Sequence, residues 1–344
     1  RMLYVDSVPE EKMVDNAIIA MLKTLDPHSS YTDASETRQV TEPLQGNFSG
    51  IGIQFKMLND TLFVVQTIAS GPSEKVGILA GDRIIAVNDS AIAGVKMVNT
   101  DIMKRLRGRK GTKVDLRVVR RGVAEPINFR VVRDDIPLYS VDAFYSPAPG
   151  TAYIKISRFA ESTAKEVREA LADLEKQHPI ESVVIDLQDN GGGYLQSAIE
   201  LADMFLPAGS PVVYTEGMRQ KNASYETSLK GKYADRKLIV LVNQYSASAS
   251  EIFAGAVQDN DRGLVIGRRT FGKGLVQRPI PFPDGSMIRL TVARYHTPSG
   301  RCIQKPYALG ESEEYQLDML NRYESGELFD ADSIHFSDSL RYTT

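Results

Sequence analysis

The spacing of apolar and polar residues changes twice along this 344-residue chain. Over residues 8–24, Met13, Ala17, Ile18, Met21 and Leu22 recur at helical spacing. That helix should end before Leu25-Asp26-Pro27-His28-Ser29-Ser30-Tyr31, where Pro27 breaks regularity. A second short helix is expected at 34–45. From Phe48 the period shortens to that of strands, at 50–55 and 62–65 around Asn59-Asp60. A short helix starting in Ser70-Gly71-Pro72-Ser73, a strand at 83–87, a capped helix at 99–106 and strands at 113–119 and 127–132 follow. After Pro137 strands and helices alternate: 152–156, helix 161–177, 183–187, helix 195–206, 238–242, helix 249–258, then strands 276–280 and 287–293. Beyond 310 the pattern weakens to a helix at 313–323 and a flexible tail.

Alternating strands and helices predict an α/β (mixed) fold with a layered, mostly parallel sheet. The divisions expected are an N-terminal helical segment (1–46), a β-rich unit (47–135), an α/β core (136–306) and an acidic C-terminal extension (307–344). Chemistry in such a core belongs at the carboxyl ends of its strands. Two of these strands run into small-residue turns, Gly191-Gly192-Gly193 and Ser246-Ala247-Ser248-Ala249-Ser250-Glu251.

Composition narrows the classes. With 42% hydrophobic and 25% charged residues the chain reads as an ordinary globular protein, and its net charge of −3 argues against general affinity for nucleic acid or anionic membranes. Residues 102–133 carry eleven Lys/Arg against Asp115 and Glu125, but only Phe129 is aromatic there, so a solvated β face is expected rather than a nucleic-acid site. Residues 311–344 hold nine acids against Arg322 and Arg341. No apolar run approaches the roughly 20 residues a bilayer span needs. The chain starts at Arg1 rather than Met, which predicts trimming before it, and no signal peptide is visible. Cys302 is the single cysteine, so an intrachain disulfide or a cysteine-based metal site is excluded, and no cofactor is expected.

The serine run carries the candidate chemistry. Ser248-Ala249-Ser250-Glu251 fits a helix capping box, which by itself accounts for the segment. Twenty-five residues later stands Lys273, within Thr270-Phe271-Gly272-Lys273-Gly274. A serine is a poor nucleophile until a base takes its proton, and a lysine can be that base when burial holds it neutral. The oxyanion would need N–H donors: Ala249 at the helix start, and a glycine of the 191–193 turn.

The chain resembles the C-terminal processing peptidases, or tail-specific proteases. The matching stretches are Leu25–Tyr31, Gly50-Ile51-Gly52-Ile53, Gly71-Pro72-Ser73-Glu74-Lys75-Val76-Gly77-Ile78, Gly81-Asp82-Arg83-Ile84-Ile85, Asp186-Leu187 with Asn190–Gly193, Ser246–Glu251, Gln258-Asp259, Thr270–Gly274 with Gln277, and 295–304. They run in colinear order over roughly residues 10–306. The resemblance implies a Ser–Lys dyad with Ser248 as nucleophile, Lys273 as base, Gln277 orienting it, and Ala249 with Gly192 or Gly193 as oxyanion donors. Asp259 matches an acid of structural role. Gln188 stands where many members carry arginine, and Tyr194 where leucine is usual. The unit 48–133 resembles a bacterial PDZ domain, with Gly50, Ile51, Gly52 and Ile53 as the loop for a peptide's terminal carboxylate. Such a domain adds the peptide as a strand to its sheet edge. The expected partners are proteins or peptides with accessible C-termini, an adaptor or activator, and further copies of the chain in a homo-oligomer. Nucleic acid and metal are not expected, and the family implies an extracytoplasmic, periplasmic location.

Two alternatives compete. For a histidine base, His296 is the one plausible candidate among His28, His178, His296 and His335. A non-catalytic or latent PDZ peptide-binding scaffold is the other, against which intact Ser248, Lys273 and Gln277 argue.

Overall fold

The computed structural model describes Val5, residues 9–228 and residues 231–330. Two units emerge: Gln45–Leu138, and a second formed by residues 1–44 together with Tyr139–Thr344. The N-terminal segment, the α/β core and the C-terminal extension therefore share one unit.

In Gln45–Leu138, antiparallel strands follow the order Ile53–Leu58, Thr61–Thr67, Arg83–Val87, Lys113–Val119, Ile127–Val132. Alternation makes this sheet one-sided: Val114, Leu116 and Val118 face the core while their neighbours are exposed. The helix Asn99–Leu106 buries Ile102 and Leu106 in the same core as Leu62, Val64 and Ile84. Each such fully buried side chain contributes roughly 1.5–3 kcal/mol. A ribbon of Asn47–Gly50 with Asp134–Pro137 completes the unit. Much of the basic run is neutralised locally. Arg130 grips Asp115 with two bonds of 2.7 and 3.1 Å, Arg120 pairs with Asp82, and Lys110 lies 2.8 and 2.9 Å from Asp134 and Asp135.

The other unit is built on four parallel strands, Thr151–Ile156, Ser182–Asp186, Lys237–Val242 and Leu264–Gly267, with Val141–Ala148 antiparallel outside. Ile154, Ile185 and Val240 lie side by side in register and are fully buried. Three helices, Thr163–Glu175, Leu195–Phe205 and Ala249–Asp259, bury apolar faces in the same core. A second sheet, entirely antiparallel, was not expected from the sequence pattern. Its central strand Met287–His296 pairs with Ser30–Thr32, Pro211–Glu216 and Leu275–Pro281, and Ala223–Glu226 pairs with Pro211–Glu216. It brings the N-terminal segment to the chain that leaves Lys273.

The C-terminal helix runs from Ser312 to Glu324 and buries Tyr315 and Arg322. The flexible tail expected after it falls, from residue 331 on, outside the described residues. No helix among the described residues is long and apolar enough to cross a membrane.

Candidate active site

The two small-residue turns are tied together at the ends of neighbouring parallel strands. Asn190 is fully buried; its Nδ2 donates to the Ile156 carbonyl (2.9 Å), and its Oδ1 accepts the Gly192 N–H (2.9 Å). Its carbonyl accepts from the Ala247 N–H (2.9 Å) and the Ser250 hydroxyl (3.0 Å). The Ser246 hydroxyl donates to the Leu187 carbonyl (2.7 Å) and accepts the Asn243 N–H (2.9 Å). Ser246 and Ser250 are thus buried staples between the turns, and Ser248, between them, lines the cavity. Gly192 presses against this segment: a Cβ there would lie 2.6 Å from the Ala247 carbonyl and 2.8 Å from Ser248 Cβ.

Ser248 has φ +56° and ψ −113°, a conformation that costs a non-glycine residue about 1–3 kcal/mol. In the first turn of the helix the Ser250 N–H bonds to the Ala247 carbonyl at 3.1 Å, and those of Glu251 and Ile252 bond to the Ser248 carbonyl at 2.9 Å. The Ala249 N–H and the Gly193 N–H have no acceptor among the described residues, whereas that of Gly192 is spent on Asn190.

Glu251 fixes the relation between serine and lysine. Its Oε2 accepts the Ser248 and Lys273 N–H groups, both at 2.8 Å. Its Oε1 accepts the Gly272 N–H (2.6 Å) and the Thr270 hydroxyl (2.7 Å). The capping box expected from sequence is therefore only part of what this carboxylate does. Burial pushes the Glu251 carboxyl up from its ordinary value, against those four donors. Gly272 and Gly274 let the lysine segment lie against Ile303–Lys305, since a Cβ on Gly274 would sit 2.3 Å from the Gln304 nitrogen.

Lys273 is half-buried, and desolvation, reinforced by the nearby Arg289 cation, holds its pKa below the usual 10.5, while Glu251 and Asp26 oppose. Ser248, Lys273 and Gln277 line one cavity of about 830 Å3, together with Gly191–Gly193, Tyr194 and Arg289. No hydrogen bond joins Ser248 Oγ to Lys273 Nζ among the described residues. Gln277 Nε2 donates to the His28 carbonyl, leaving its Oε1 as an acceptor. His28 is lowered from 6.5 to about 4 by burial, then by Lys273 and Lys305, against Asp26. Its Nε2 pairs with the Tyr315 hydroxyl at 2.8 Å. Asp26 organises this turn, accepting from the His28 and Ser29 N–H groups (3.0 Å each) and from the Thr291 hydroxyl (2.9 Å).

The C-terminal extension supports the same segment. The Arg322 guanidinium donates to the carbonyls of Arg269 (2.6 Å) and Thr270 (3.2 Å), and pairs with Glu327 at 2.8 Å. Lys305 Nζ lies 4.4 and 4.1 Å from the ring centres of Phe271 and Tyr315.

His296 stacks on Tyr214, with ring centres 5.0 Å apart, and its Nε2 lies 3.6 Å from Glu216; it does not line the cavity. Asp259 binds Arg301 and accepts from the Ser299 N–H (3.0 Å) and hydroxyl (2.7 Å). Burial acts against its charge, but the Thr297 and Ser299 donors and the Arg301 cation prevail and hold its pKa low. Gln188 shows only backbone bonds: its N–H donates to Asp186 (2.8 Å) and its carbonyl accepts from Lys155 (2.5 Å). No cluster of three His, Cys, Asp or Glu suited to a metal occurs among the described residues.

In the β-rich unit, Gly50 ends the ribbon strand, Ile51 is buried, Gly52 has φ +71° and Ile53 opens the edge strand. The Ile51 and Gly52 carbonyls accept from Ser73 and Ile68 (3.0 Å each), while their N–H groups donate to nothing among the described residues. Ile53–Leu58 pairs on one side only, with Thr61–Thr67, so its outer edge has no partner strand among the described residues.

Sequence reading missed Glu251 as the bridge, Asp26 and His28 behind Gln277, Arg322 behind the lysine loop, and Arg289 in the cavity. Glu251 had a local signal in the S-x-x-E spacing, and Asp26 and His28 lie in the matching stretch Leu25–Tyr31; Arg289 and Arg322 had none.

Residues 150–310 match the profile of peptidase family S41, and residues 49–131 that of a PDZ domain. A carboxy-terminal-processing protease of Bartonella bacilliformis is 38% identical over 308 residues, covering 88% of this chain and 70% of that protein. The carboxy-terminal processing protease CtpB of Bacillus subtilis is 38% identical over 305 residues, covering 88% of this chain and 63% of that protein. Among solved structures, the photosystem II D1 C-terminal processing protease superposes with a TM-score of 0.50 at 29% identity, covering 88% of this chain and 82% of that one. With both domains matched and 88% of the chain aligned to named relatives, the chain belongs to peptidase family S41, the serine-type carboxy-terminal processing proteases that carry a PDZ domain.

Proposed function

We propose that this chain is a serine endopeptidase in which Ser248 is the nucleophile and Lys273 the general base. The observation that carries this is the joint anchoring of the two. Ser248, at positive φ, and a half-buried Lys273 face one cavity, with both backbones held by the Glu251 carboxylate. The neutral Lys273 amine takes the Ser248 hydroxyl proton as Oγ attacks the scissile carbonyl carbon. The Ala249 and Gly193 N–H groups, both without another acceptor, receive the oxyanion. The lysine then gives its proton to the departing amine, leaving an acyl-serine that water hydrolyses by the same route. Gln277, anchored on the His28 carbonyl, presents Oε1 to the lysine. Ser248 and Lys273 close on each other when substrate enters, since catalytic hydrogen bonds often tighten only in the complex.

In the same reading the Gly50-Ile51-Gly52-Ile53 loop receives a substrate's terminal carboxylate on its free N–H groups, and the peptide adds to the edge strand Ile53–Leu58. Tailed proteins, an adaptor or activator, self-association and an extracytoplasmic, periplasmic location belong to this proposal through the family.

The test is cleavage of an unstructured substrate bearing a small apolar C-terminus by wild type, Ser248→Ala, Lys273→Ala and His296→Ala. Wild type and His296→Ala should cleave; the other two should not. Wild-type cleavage by Lys273→Ala would defeat the dyad. No cleavage by wild type over varied tails would favour a peptide-binding scaffold.

A further inference from the structure

One side chain in the cavity is unexplained by this chemistry. Arg289 sits on Met287–His296, opposite Ser30 on one neighbouring strand and Pro279 on the other. Its Nε is buried without a hydrogen-bond partner. Burial alone sets the direction of its pKa, downward, with neither a carboxylate nor a hydrogen bond supporting the charge. By contrast Arg133 and Arg322, which are buried, and Arg262, which is half-buried, are satisfied. Arg133 donates to the Leu106 carbonyl, Arg262 to the carbonyls of Phe205, Tyr233 and Arg236, and Arg322 to Glu327 and two carbonyls. An arginine presents five donors in a planar fork suited to a carboxylate, and Arg289 is half-buried with its Nε shut away from water and unpaired, which is unfavourable.

Its position says what would pair with it. Arg289 lines the cavity that holds Ser248 and Lys273. The acids lining that cavity are Glu161 and Glu200, and Glu200 already accepts from Gln196 at 3.1 Å. They would repel an acidic group from their own part of the wall, leaving Arg289 as the place for it. Lys273 is the other basic side chain lining the cavity, and burial disfavours its charged form.

We propose that Arg289 binds a carboxylate of the substrate inside the active-site cavity, so that cleavage is favoured beside an acidic group. The carboxylate has two possible sources with the same chemistry. One is an Asp or Glu side chain near the scissile bond; the other is the terminal carboxylate of a substrate cut a few residues from its end. This rests on the cavity being the substrate cleft, as the Ser248–Lys273 reading requires.

The experiment uses quenched peptides that share one small apolar C-terminus and carry Glu or Gln at each position flanking the cut. A short-tailed pair with a free or amidated C-terminus runs beside them. Wild type should prefer the carboxylate at one position by about 10- to 100-fold in kcat/KM. Arg289→Gln should bring the preference within about twofold, and Arg289→Lys should restore part of it. A preference confined to free over amidated termini identifies the main-chain source; one confined to Glu over Gln identifies the side chain. The proposal is overturned if Arg289→Gln keeps the preference. It is equally overturned if that variant slows all peptides alike while its acid limb moves to higher pH, which would make Arg289 only a neighbour that disfavours the protonated Lys273. Binding of the Glu and Gln peptides to Ser248→Ala, with and without Arg289→Gln, reads the contact without turnover. If wild type cleaves nothing but Arg289-dependent binding persists, the dyad reading fails and, of this proposal, the cleavage preference is overturned while the carboxylate contact is upheld.

Discussion

Replacing Glu251 by glutamine tests whether one carboxylate holds Ser248 and Lys273 together. Each Glu251 oxygen accepts two donors: Oε2 from Ser248 and Lys273, Oε1 from Gly272 and Thr270. A glutamine keeps one acceptor and turns the other into an NH2, which cannot accept. Two part-buried N–H or O–H donors then lose their partner, at up to about 1–3 kcal/mol each, or about 2–6 kcal/mol together at most. That is a large part of a typical stability of about 5–15 kcal/mol. For a unit of this size about 1 kcal/mol moves Tm by roughly 2–4 °C, so Tm should fall by roughly 5–20 °C. Activity should suffer more than stability. If Ser248 or Lys273 shifts by about 1 Å, the rate can drop about 100-fold even in molecules that stay folded. Thermal unfolding together with kcat measured well below the lowered Tm separates the two effects. A Glu251→Gln protein with wild-type Tm and wild-type kcat would refute the bridge.

The remaining predictions are shorter. Because burial lowers Lys273, its folded form gives up the proton more readily than the unfolded chain, so its share of stability rises with pH between the two pKa values. Activity should rise with pH along a limb below 10.5, and Lys273→Met should abolish turnover while keeping or raising neutral-pH stability, measured by rate–pH profiles and denaturation. His28 is also depressed, to about 4, so lowering pH from 6.5 to 4 should cost the larger unit about 1–3 kcal/mol after allowing for partial exposure. His28→Asn should flatten that slope in urea titrations. Arg322→Ala removes the donors to the Arg269 and Thr270 carbonyls, and should cost about 2–4 kcal/mol with a fall in kcat, though Arg322 does not line the cavity. Gly52→Val places a Cβ 3.0 Å from Ile136 Cδ1 and 3.2 Å from Pro72 Cδ at φ +71°. It should raise KM for tailed substrates while short untailed peptides are cut as before; equal loss on both would count against the loop.

Local pattern defined the elements whose burial alternates cleanly. The strand Lys113–Val119 and the helix Asn99–Leu106 have the bounds their spacing predicts, because one face of each is buried. Val141–Ala148 was invisible, since seven of its eight residues are exposed and no alternation remains. Pro211–Glu216, whose burial also lacks alternation, was missed too. The sequence also singled out Ser248 from its neighbours and linked it to Lys273, through motifs in a fixed order along the chain. Adjacency was beyond it. Glu251 reaches the lysine loop only because the neighbouring parallel strands Lys237–Val242 and Leu264–Gly267 bring the chain after each, 243–251 and 268–273, together. Arg289 lies beside Ser30, about 260 positions away in sequence, only because an antiparallel pair joins them. Tyr315 and Arg322, read as part of a weakly patterned acidic tail, pack behind His28 and the Lys273 loop. Residue type and spacing thus determined which groups could react, while tertiary packing decided their partners, their desolvation and hence their protonation, because burial and hydrogen bonding depend on chain segments distant in sequence.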